Sequence, residues 1–322
     1  MPKDPKPGVI GLDISRDGKT LVAAGTDGII RIWDVESGKV SKTITGHTNS
    51  VYVAVLSPDE KRIASSSRDT TVRIWDAASG RELKRLEGFQ CSVKSVAFSP
   101  DGKTLAASGN DGVVKVWEVA SGRELRSLVH STALDVDTSI YSLVFDRNRK
   151  TLFAGNGDGM ISQWDTASGK EVNVWKAHNE AVIALVFTSD HHLLISDGYN
   201  EANIKTWDLR ANRASKTFGG KTDANLTEQS HVAAVSSDAK LVATSVTGFD
   251  PKKRDFVYVR TYVWDFETGR KLYTFEDQKF DVGGLVFSPD DRYLIAGSAD
   301  TTIRFYDLKT GRAERVLSAR TN

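Results

Sequence analysis

The chain has little of what marks exported, membrane-spanning or metal-rich proteins. Cys91 is its only cysteine among 322 residues, so no internal disulfide and no cysteine-rich zinc site can form. Its apolar runs are far shorter than the ~20 residues of a membrane-spanning helix, and its first residues have no apolar signal core. Lysine plus arginine number 43 against 42 acidic residues, a formal charge of +1. This balance argues against a globally charged surface for nucleic acid or a membrane.

The composition is that of an ordinary globular protein. Hydrophobic residues make up 39% of the chain and charged residues 26%, which is enough to build a buried core. Since nothing marks the chain for export, we expect a cytoplasmic protein. We also expect it to be monomeric on its own, with a protein or peptide as partner rather than a membrane or a nucleic acid.

What the chain has instead is an internal repeat. An aromatic residue followed by an acidic one occurs seven times, and the aromatics are spaced by 42, 42, 47, 43, 57 and 42 residues. A period of 42 lies within the ~40–45 residues of a propeller blade. The seven pairs are Trp33-Asp34, Trp75-Asp76, Trp117-Glu118, Trp164-Asp165, Trp207-Asp208, Trp264-Asp265 and Tyr306-Asp307.

Each period contains signals for four short strands. In the second period these are Val51–Leu56, Arg62–Ser66, Thr71–Trp75 and Glu82–Leu86, separated by turns rich in Ser, Pro, Asp and Gly. No window keeps a 3.6-residue period, which excludes stacked helices. One four-stranded unit cannot bury both of its faces, whereas seven units in a ring can. The sequence therefore predicts an all-β fold, a seven-bladed β-propeller of four-stranded antiparallel blades.

The residues around these pairs resemble a known family. The Trp-Asp pairs, the SPDGKTLA turn at residues 99–106 and the Gly46-His47 dipeptide look like those of the WD-repeat β-propellers. The resemblance covers residues 9 to 318, and seven matches in register make it specific. We expect a Pro-rich leader or linker at 1–8 and the propeller at 9–322. The blades are expected near residues 9–46, 51–88, 93–129, 140–177, 182–220, 230–276 and 282–318.

In that family a His, a Ser or Thr, an Asp and the Trp form a hydrogen-bonded network within a blade. Such a set recurs with the repeat, whereas an active site occurs once, so we interpret it as structural and not as a hydrolase triad. Phe89 and Gln278 take the His position in blades 3 and 7, which are expected to rely more on apolar packing and turn geometry. The predicted network residues are His47, Ser65, Asp69 and Trp75 in blade 2 and His178, Ser196 and Trp207 in blade 5.

Other motifs that would carry chemistry are few. The pair His191-His192 lies in a turn, where solvated side chains are favoured over a metal site, and Asp135 with Asp137 is a weak cation-binding pattern. We expect Cys91 to be a packed thiol. The sequence has no nucleophile elbow, P-loop or zinc-protease motif. We therefore predict no catalytic, metal-binding or cofactor-binding residues, no cofactor, and a protein that is not an enzyme.

The two ends predict how the ring closes. Members of the family usually lend an N-terminal strand to the last blade, but here Val9 aligns with Val51 as the start of an inner strand. Blade 7 is instead predicted to complete itself, with Ala313–Leu317 as its outer strand. Closure would then rest on packing between blades 1 and 7. A complete protein and one module of a longer protein both remain open.

Insertions into the repeat predict a binding face. If the strands of a blade are lettered a to d from the axis outwards, the d–a and b–c loops share one face of the ring. The insertions of blades 4 and 6 fall in His130–Ser139, Lys221–Ser230 and Val246–Arg260, all on this d–a/b–c face. Strands b and c of blade 6 are predicted to extend past the rim as a β-hairpin, with its tip near Pro251–Asp255.

In the family this face commonly binds protein partners, through the residue before each turn Asp and the start of each inner strand. We therefore predict a non-catalytic protein-interaction scaffold. The alternatives are a propeller module of a larger regulatory or enzymatic protein, an enzyme with residues in the central channel, and an anion or nucleic-acid binder. The candidate partner-binding residues are Ser50, Tyr52, Arg68, Ser92, Lys94, Asn110, Tyr141, His231, Lys252, Lys253, Arg254 and Asp281.

Overall fold

Short β-rich segments, separated by turns of Gly, Asp and Ser, pair with their neighbours in sequence. The structure, a computed structural model, describes residues 7–129, 138–148, 150–201, 203–211, 213–219 and 226–319. In these ranges the chain forms 28 strands and no helix, and the strands pair antiparallel in seven four-stranded sheets. Over the same ranges, no helix has the length and apolar character to span a membrane. The predicted all-β, seven-bladed propeller is confirmed.

Each blade consists of four consecutive strands, a to d. Blade 1 has β1 (Val9–Ile14), β2 (Thr20–Gly25), β3 (Ile30–Asp34) and β4 (Lys39–Ile44). Blade 2 has β5 (Val51–Leu56), β6 (Arg62–Ser67), β7 (Val72–Asp76) and β8 (Glu82–Leu86). Blade 3 has β9 (Val93–Phe98), β10 (Thr104–Gly109), β11 (Val113–Glu118) and β12 (Glu124–Val129). Blade 4 has β13 (Ile140–Phe145), β14 (Thr151–Asn156), β15 (Met160–Asp165) and β16 (Glu171–Lys176). Blade 5 has β17 (Val182–Phe187), β18 (Leu193–Gly198), β19 (Asn203–Asp208) and β20 (Arg213–Gly219). Blade 6 has β21 (Thr227–Val235), β22 (Leu241–Asp250), β23 (Asp255–Asp265) and β24 (Lys271–Phe275). Blade 7 has β25 (Val282–Phe287), β26 (Tyr293–Ser298), β27 (Thr302–Asp307) and β28 (Arg312–Ser318).

The apolar core is divided into seven clusters, one between each pair of adjacent blades. In every cluster the signature aromatic of one blade packs against the preceding blade. Trp75 lies in the cluster that contains Ile30 and Ile44 of blade 1, and Trp33 lies with Phe305 of blade 7. The residues that mark the repeat in the sequence are therefore the ones that join the blades.

A second repeated contact joins the blades at their c–d turns. The residue nine positions after the signature aromatic lies on strand d, and in five blades its side chain donates to main-chain carbonyls of the next blade. These carbonyls lie two or three positions after that blade's aromatic. Lys216 Nζ, for example, lies 2.7 Å from Glu267 O and 3.4 Å from Phe266 O. The five donors are Lys42, Arg126, Lys216, Tyr273 and Arg315.

The ring closes without strand exchange. Blade 7 is completed by its own C-terminal strand, β28, as predicted. Arg315 on that strand donates to the carbonyl of Val35, and to that of Glu36 at 3.2 Å, in blade 1. On the inner side β25 approaches β1 closely, because a Cβ at Gly283 would lie 2.7 Å from the Cα of Ile10. Side-chain packing and donated hydrogen bonds thus replace the shared sheet that the family usually uses.

Blade 6 departs from the other blades. Its strands β21, β22 and β23 have 9, 10 and 11 residues, and the predicted hairpin is confirmed, with Asp250 and Asp255 as its last pair. Beyond the prediction, β21 also extends and pairs Thr227 with Phe249, so residues 227–230 of the predicted d–a insertion are strand. We call residues 227–230, 246–250 and 255–260 the blade 6 extension. Residues 130–137 of the predicted blade 4 insertion and residues 221–225 of the predicted d–a insertion of blade 6 lie outside the described residues.

The closing contact predicts a measurable loss of stability. Replacing Arg315 by Met keeps the aliphatic packing but removes the donors to Val35 and Glu36, so the free energy of unfolding should fall by about 1–3 kcal/mol. Hydrogen exchange should rise in β1 and β28 in particular. The matched control is Arg312→Met, an exposed residue on the same strand. If the two substitutions lowered the free energy of unfolding equally, the hydrogen bonds from Arg315 to blade 1 would not be what holds the ring closed.

Candidate functional site

The signature residues of blade 2 meet in one buried chain of hydrogen bonds. Trp75 Nε1 donates to Ser65 Oγ at 2.8 Å, and His47 Nε2 lies 2.7 Å from the same hydroxyl. His47 Nδ1 lies 2.8 Å from Asp69 Oδ2. The order Asp–His–Ser is that of a hydrolase triad. However, the Ser65 hydroxyl is fully buried and already bonded to Trp75 and His47, so a substrate carbonyl cannot reach it.

Burial and hydrogen bonding set the charges in this network. Burial lowers the pKa of His47 below its ordinary value of 6.5, so the imidazole is neutral at pH 7. Burial acts to raise the pKa of Asp69, but hydrogen bonds from Thr71 and His47 outweigh it, and the pKa is lowered to about 2. A neutral His47 therefore donates from Nδ1 to the Asp69 carboxylate and accepts the Ser65 hydroxyl at Nε2.

Blade 5 repeats the network with a glutamate in place of the aspartate. Trp207 Nε1 donates to Ser196 Oγ at 2.8 Å, and His178 Nε2 lies 2.8 Å from the same atom. His178 Nδ1 lies 2.8 Å from Glu201 Oε2. Glu201 was not among the predicted network residues, although it precedes Trp207 by six residues, the same spacing that separates the acid from the aromatic in blade 2. The spacing predicts Glu201 if glutamate as well as aspartate is allowed at the position six residues before the aromatic.

Blade 3 fills the same space with apolar groups. Phe89 takes the His position and its ring centroid lies 5.9 Å from that of Trp117. Ala107 occupies the position of Ser65, ten residues before the aromatic, and all three side chains are buried in one cluster. The hydroxyl and the imidazole are thus replaced together, so neither is left without its partner.

Blade 7 was also expected to rely on apolar packing at this position, and that expectation is wrong. Gln278 Oε1 accepts a hydrogen bond from Arg304 Nη1 at 2.7 Å, and the same nitrogen lies 3.0 Å from Asp300 Oδ2. Tyr306 donates from its hydroxyl to Asp277 at 2.7 Å. Because tyrosine brings a hydroxyl where the other blades have an indole, this blade builds a polar network around an arginine.

Backbone pairing brings the predicted partner-binding residues of blades 2 and 3 together in twos. Arg68 N donates to Ser50 O at 2.9 Å, and Asn110 N donates to Ser92 O at 3.3 Å. In both blades a residue of the b–c loop therefore lies beside the start of the inner strand. The Ser50 hydroxyl donates to Thr26 O at 2.8 Å, which links blade 2 to blade 1.

Tyr52 and Lys94 lie at the inner-strand starts of adjacent blades. The Lys94 ammonium is 4.1 Å from the centroid of the Tyr52 ring, a distance at which a cation is attracted to the ring face. Tyr141 occupies the corresponding position of blade 4 and is half-buried. This arc of aromatic and cationic side chains follows the inner strands of blades 2 to 4.

His231 and Asp281, predicted separately as partner-binding residues, both contact Thr247, which the sequence did not indicate as a site residue. Thr247 donates from its hydroxyl to Asp281 Oδ1 at 2.6 Å, and its Oγ1 lies 3.0 Å from His231 Nε2. Here the hydroxyl stands between the acid and the imidazole, so the carboxylate does not orient the imidazole as in a triad. Thr247 is also 1% exposed. The cluster instead ties β21 and β22 of blade 6 to blade 7.

The cations Lys252, Lys253 and Arg254 lie at the tip of the blade 6 extension and are exposed. The tip stands about 10 Å beyond Thr247, at ~3.3 Å per residue of strand. The ion pair recorded for them joins Lys253 Nζ to Asp250 Oδ2 at 3.5 Å, within the tip itself. Phe256, 61% exposed, and Val257, 52% exposed, follow the tip on β23.

Three other expected features can be compared with the structure. His191 occupies the left-handed position of an a–b turn, with φ of 56°, and stacks on Phe187 at 5.2 Å. Within the described ranges no group of three His, Cys, Asp or Glu side chains could hold a metal ion, and Asp135 and Asp137 lie outside those ranges. The expectation of a packed thiol is wrong, because Cys91 is exposed in the loop before β9.

A cavity of about 530 Å³ opens on the opposite face, between blades 7 and 1. The side chains of Ile14, Val35 and Phe305 line it together with the carboxylates of Asp17, Asp290 and Glu314. It lies across the ring from the candidate partner-binding residues. No sequence pattern predicts this cavity, because it depends on which strand ends face each other across the junction of blades 7 and 1.

The blade 2 network predicts coupled mutational effects. Ser65→Ala removes the hydroxyl that Trp75 and His47 both contact. His47→Phe removes the imidazole that Ser65 and Asp69 both contact. Each substitution should lower the free energy of unfolding by about 1–3 kcal/mol. The double variant reproduces the Phe89–Ala107 arrangement of blade 3. It should be more stable than the sum of the single effects by about 1 kcal/mol or more in urea unfolding. Simple additivity would contradict the network.

The network also predicts how stability depends on pH. Burial lowers the pKa of both His47 and His178 in the folded state, so acidification below 6.5 protonates the unfolded chain first. Stability should therefore fall as the pH drops toward the lowered folded-state values. The His47→Phe/Ser65→Ala variant lacks one of these two contributions. Its free energy of unfolding should fall less than that of the wild type between about pH 7 and pH 5. Parallel profiles would contradict a neutral, buried His47.

Comparison with known proteins places the chain among proteins with the same kind of repeat as the seven-bladed fold shows. The chain matches the family model described as WD40, WD domain, G-beta repeat, at residues 4–34, 38–76, 80–118, 124–165 and 269–307. It is 30% identical over 161 residues to Mitochondrial division protein 1 of Neurospora crassa, covering 44% of this chain and 24% of that protein. It is 27% identical over 131 residues to Periodic tryptophan protein 2 of Arabidopsis thaliana, covering 41% and 13%.

A shorter stretch is 54% identical over 41 residues to the Guanine nucleotide-binding protein subunit beta-like protein of Encephalitozoon cuniculi, covering 13% of this chain and 12% of that protein. The aligned segments span about a quarter or less of these relatives' length. Propellers of this family generally mediate protein interactions and are typically non-catalytic. Since the family model matches more than half of its residues, and its seven blades carry the signature pairs, the chain belongs to the WD40 repeat family.

Proposed function

We propose that this propeller is a non-catalytic scaffold that binds a protein partner on the d–a/b–c face, with the blade 6 extension as the principal contact. The observation that carries the proposal is the extension itself. Its three strands rise from that face and present Lys252, Lys253 and Arg254 at the tip. A regular repeat needs no such feature for its stability, and loops that stand out on a rigid scaffold are where binding residues are concentrated.

The chemistry of the extension suits a protein surface. Protein interfaces combine apolar side chains at their centre with a polar rim. Phe256 and Val257 on β23 and Phe280 in the loop before β25 are exposed apolar residues on the same face as the cations. Of these cations only Lys253 has an acidic neighbour, Asp250 at 3.5 Å, among the ion pairs of the described residues. A partner with an acidic surface beside an apolar patch fits this combination best.

The buried networks give no support to an enzymatic alternative. Three histidine–hydroxyl pairs of the described residues resemble a hydrolase site, and in each the hydroxyl, at Ser65, Ser196 or Thr247, is buried and bonded within the protein. General base catalysis needs a hydroxyl or water that can approach the substrate. The tip cations could also attract an anion or a nucleic acid, but the phenylalanine and valine beside them favour a protein.

The test replaces Lys252, Lys253 and Arg254 together by serine. Proteins that bind the chain in an extract of its source organism should be captured less, and the association rate of the purified partner should fall by about tenfold at low salt. Its dependence on salt should also weaken, because fewer charges take part in the encounter. The melting temperature should stay the same, since exposed ion pairs contribute little to stability.

A variant on the opposite face serves as the control. Lys19, Lys61 and Lys103 lie in a–b turns, are exposed, and change the net charge by the same amount when replaced by serine. This variant should bind as the wild type does. Equal losses in both variants would point to a general charge effect, and an unchanged association rate in the blade 6 variant would remove the extension from the binding site.

A further inference from the structure

The outer edge of the blade 6 extension has no paired strand in the described part of the chain. Residues 255–260 of β23 pair with β22 on one side. On the other side β24 pairs with β23 only from Thr261 to Trp264. The inner edge of the same hairpin is covered by β21, from Thr227 to Ser230. The protein thus covers one edge of the hairpin and leaves the other open.

An open strand edge presents main-chain donors and acceptors to another strand, and proteins usually protect such edges with charged side chains. The outer strands β4, β8, β12, β20 and β28 carry charged residues within them. Among the described residues, two uncharged four-residue stretches expose large apolar side chains on an edge. They are residues 256–259 of β23 and residues 172–175 of β16. These are the two edges best suited to accept a strand.

Charge distinguishes these two edges. The stretch in β16 is flanked by Glu171 and Lys176, whose charges balance. The stretch in β23 is flanked by Asp255 and Arg260, and Arg260 Nε lies 2.6 Å from Glu276 Oε1. What β16 lacks is the group of three cations, Lys252, Lys253 and Arg254, that precedes Asp255 at the tip. Lys252 and Arg254 have no ion pair among the described residues, so the positive charge at the tip is available to a partner. An incoming strand on β23 is therefore favoured if it carries carboxylates.

We infer that the outer edge of β23, at residues 255–260, binds an extended acidic segment of a partner protein by adding it to the blade 6 sheet as a further strand. This inference rests on the proposed function and gives its binding mode. The added strand donates to and accepts from the main chain of β23, as in β-strand addition generally. Its apolar side chains pack on Phe256 and Val257, and its carboxylates lie near Lys252 and Arg254.

The test uses three synthetic peptides of eight residues. The first alternates glutamate and valine, the second alternates lysine and valine, and the third is the glutamate–valine peptide with all its amides N-methylated. Binding is followed by fluorescence anisotropy, and main-chain protection by hydrogen exchange. The glutamate–valine peptide should bind and slow the exchange of residues 255–260. The lysine–valine peptide should bind more weakly, and the N-methylated peptide should not bind, because it cannot donate to the edge.

Two matched variants locate the site. Val257→Glu places a carboxylate on the proposed edge and should weaken binding of the glutamate–valine peptide by about tenfold or more. Val172→Glu changes an equally exposed valine, 56% exposed on β16, and should leave binding unchanged. Both positions are exposed, so both variants should keep the wild-type melting temperature. Equal losses in the two variants, or protection of β16 instead of residues 255–260, would overturn the assignment.

Three other outcomes distinguish strand addition from other ways of binding. Binding of the N-methylated peptide as tightly as the first would show attraction by charge alone and overturn strand addition. A concentration-dependent dimer that protects residues 255–260 would assign the edge to a second copy of this chain. If serine substitution of the tip cations releases the natural partner while that partner leaves residues 255–260 unprotected, the partner-binding face stands and the strand-addition mode fails.

Discussion

The packing of each signature aromatic against the preceding blade is the contact on which the rest of the molecule depends. A four-stranded blade has two faces to bury, and each face is covered only by a neighbour, so stability is a property of junctions more than of blades. Trp33 against blade 7 is the last of these junctions and closes the ring. Because no strand is shared there, the hydrogen bonds that Arg315 donates to blade 1 supply main-chain contacts that a shared strand would otherwise make.

In blades 2, 3, 5 and 7 the space beside the aromatic is filled in three ways. Blades 2 and 5 use a histidine, a serine and an acid; blade 3 uses Phe89 with Ala107; blade 7 uses a glutamine, an arginine and a tyrosine. A histidine beside alanine, or a serine beside phenylalanine, would lose a contact made in blades 2 and 5, and a buried polar group without a partner costs free energy. Blade 7 bears part of this cost, because the buried Gln278 Nε2 has no hydrogen-bond partner among the described residues. Resemblance to a catalytic triad is therefore a consequence of satisfying buried groups in a repeated frame. Function is better sought where the repeat is interrupted.

The sequence predicted the fold because the spacing of the aromatics and the turns between strands are local signals. It predicted the hairpin of blade 6 because Phe256 to Trp264 alternate as a strand does. It did not predict the third strand of the extension, since residues 227–230 are all polar and become strand only by pairing beside Gly248. There a Cβ would lie 2.6 Å from the Tyr258 ring. The sequence also did not predict the hydrogen bonds from strand d to the carbonyls of the next blade. Lysine, arginine and tyrosine all occur at the donor position, so no single residue type marks it, and the acceptors belong to another blade.

The base of the extension is fixed while its outer part is exposed. Thr247 joins His231 of β21 to Asp281 of blade 7 through its hydroxyl, and Tyr258 donates from its hydroxyl to Glu228 across the sheet. These partly buried hydrogen bonds hold the three strands of the extension in one orientation. A partner that adds to a preformed edge loses less conformational entropy in the complex than one that must first order a loop. The same polar groups that break the repeat at blade 6 therefore hold in place the edge for which we propose strand addition.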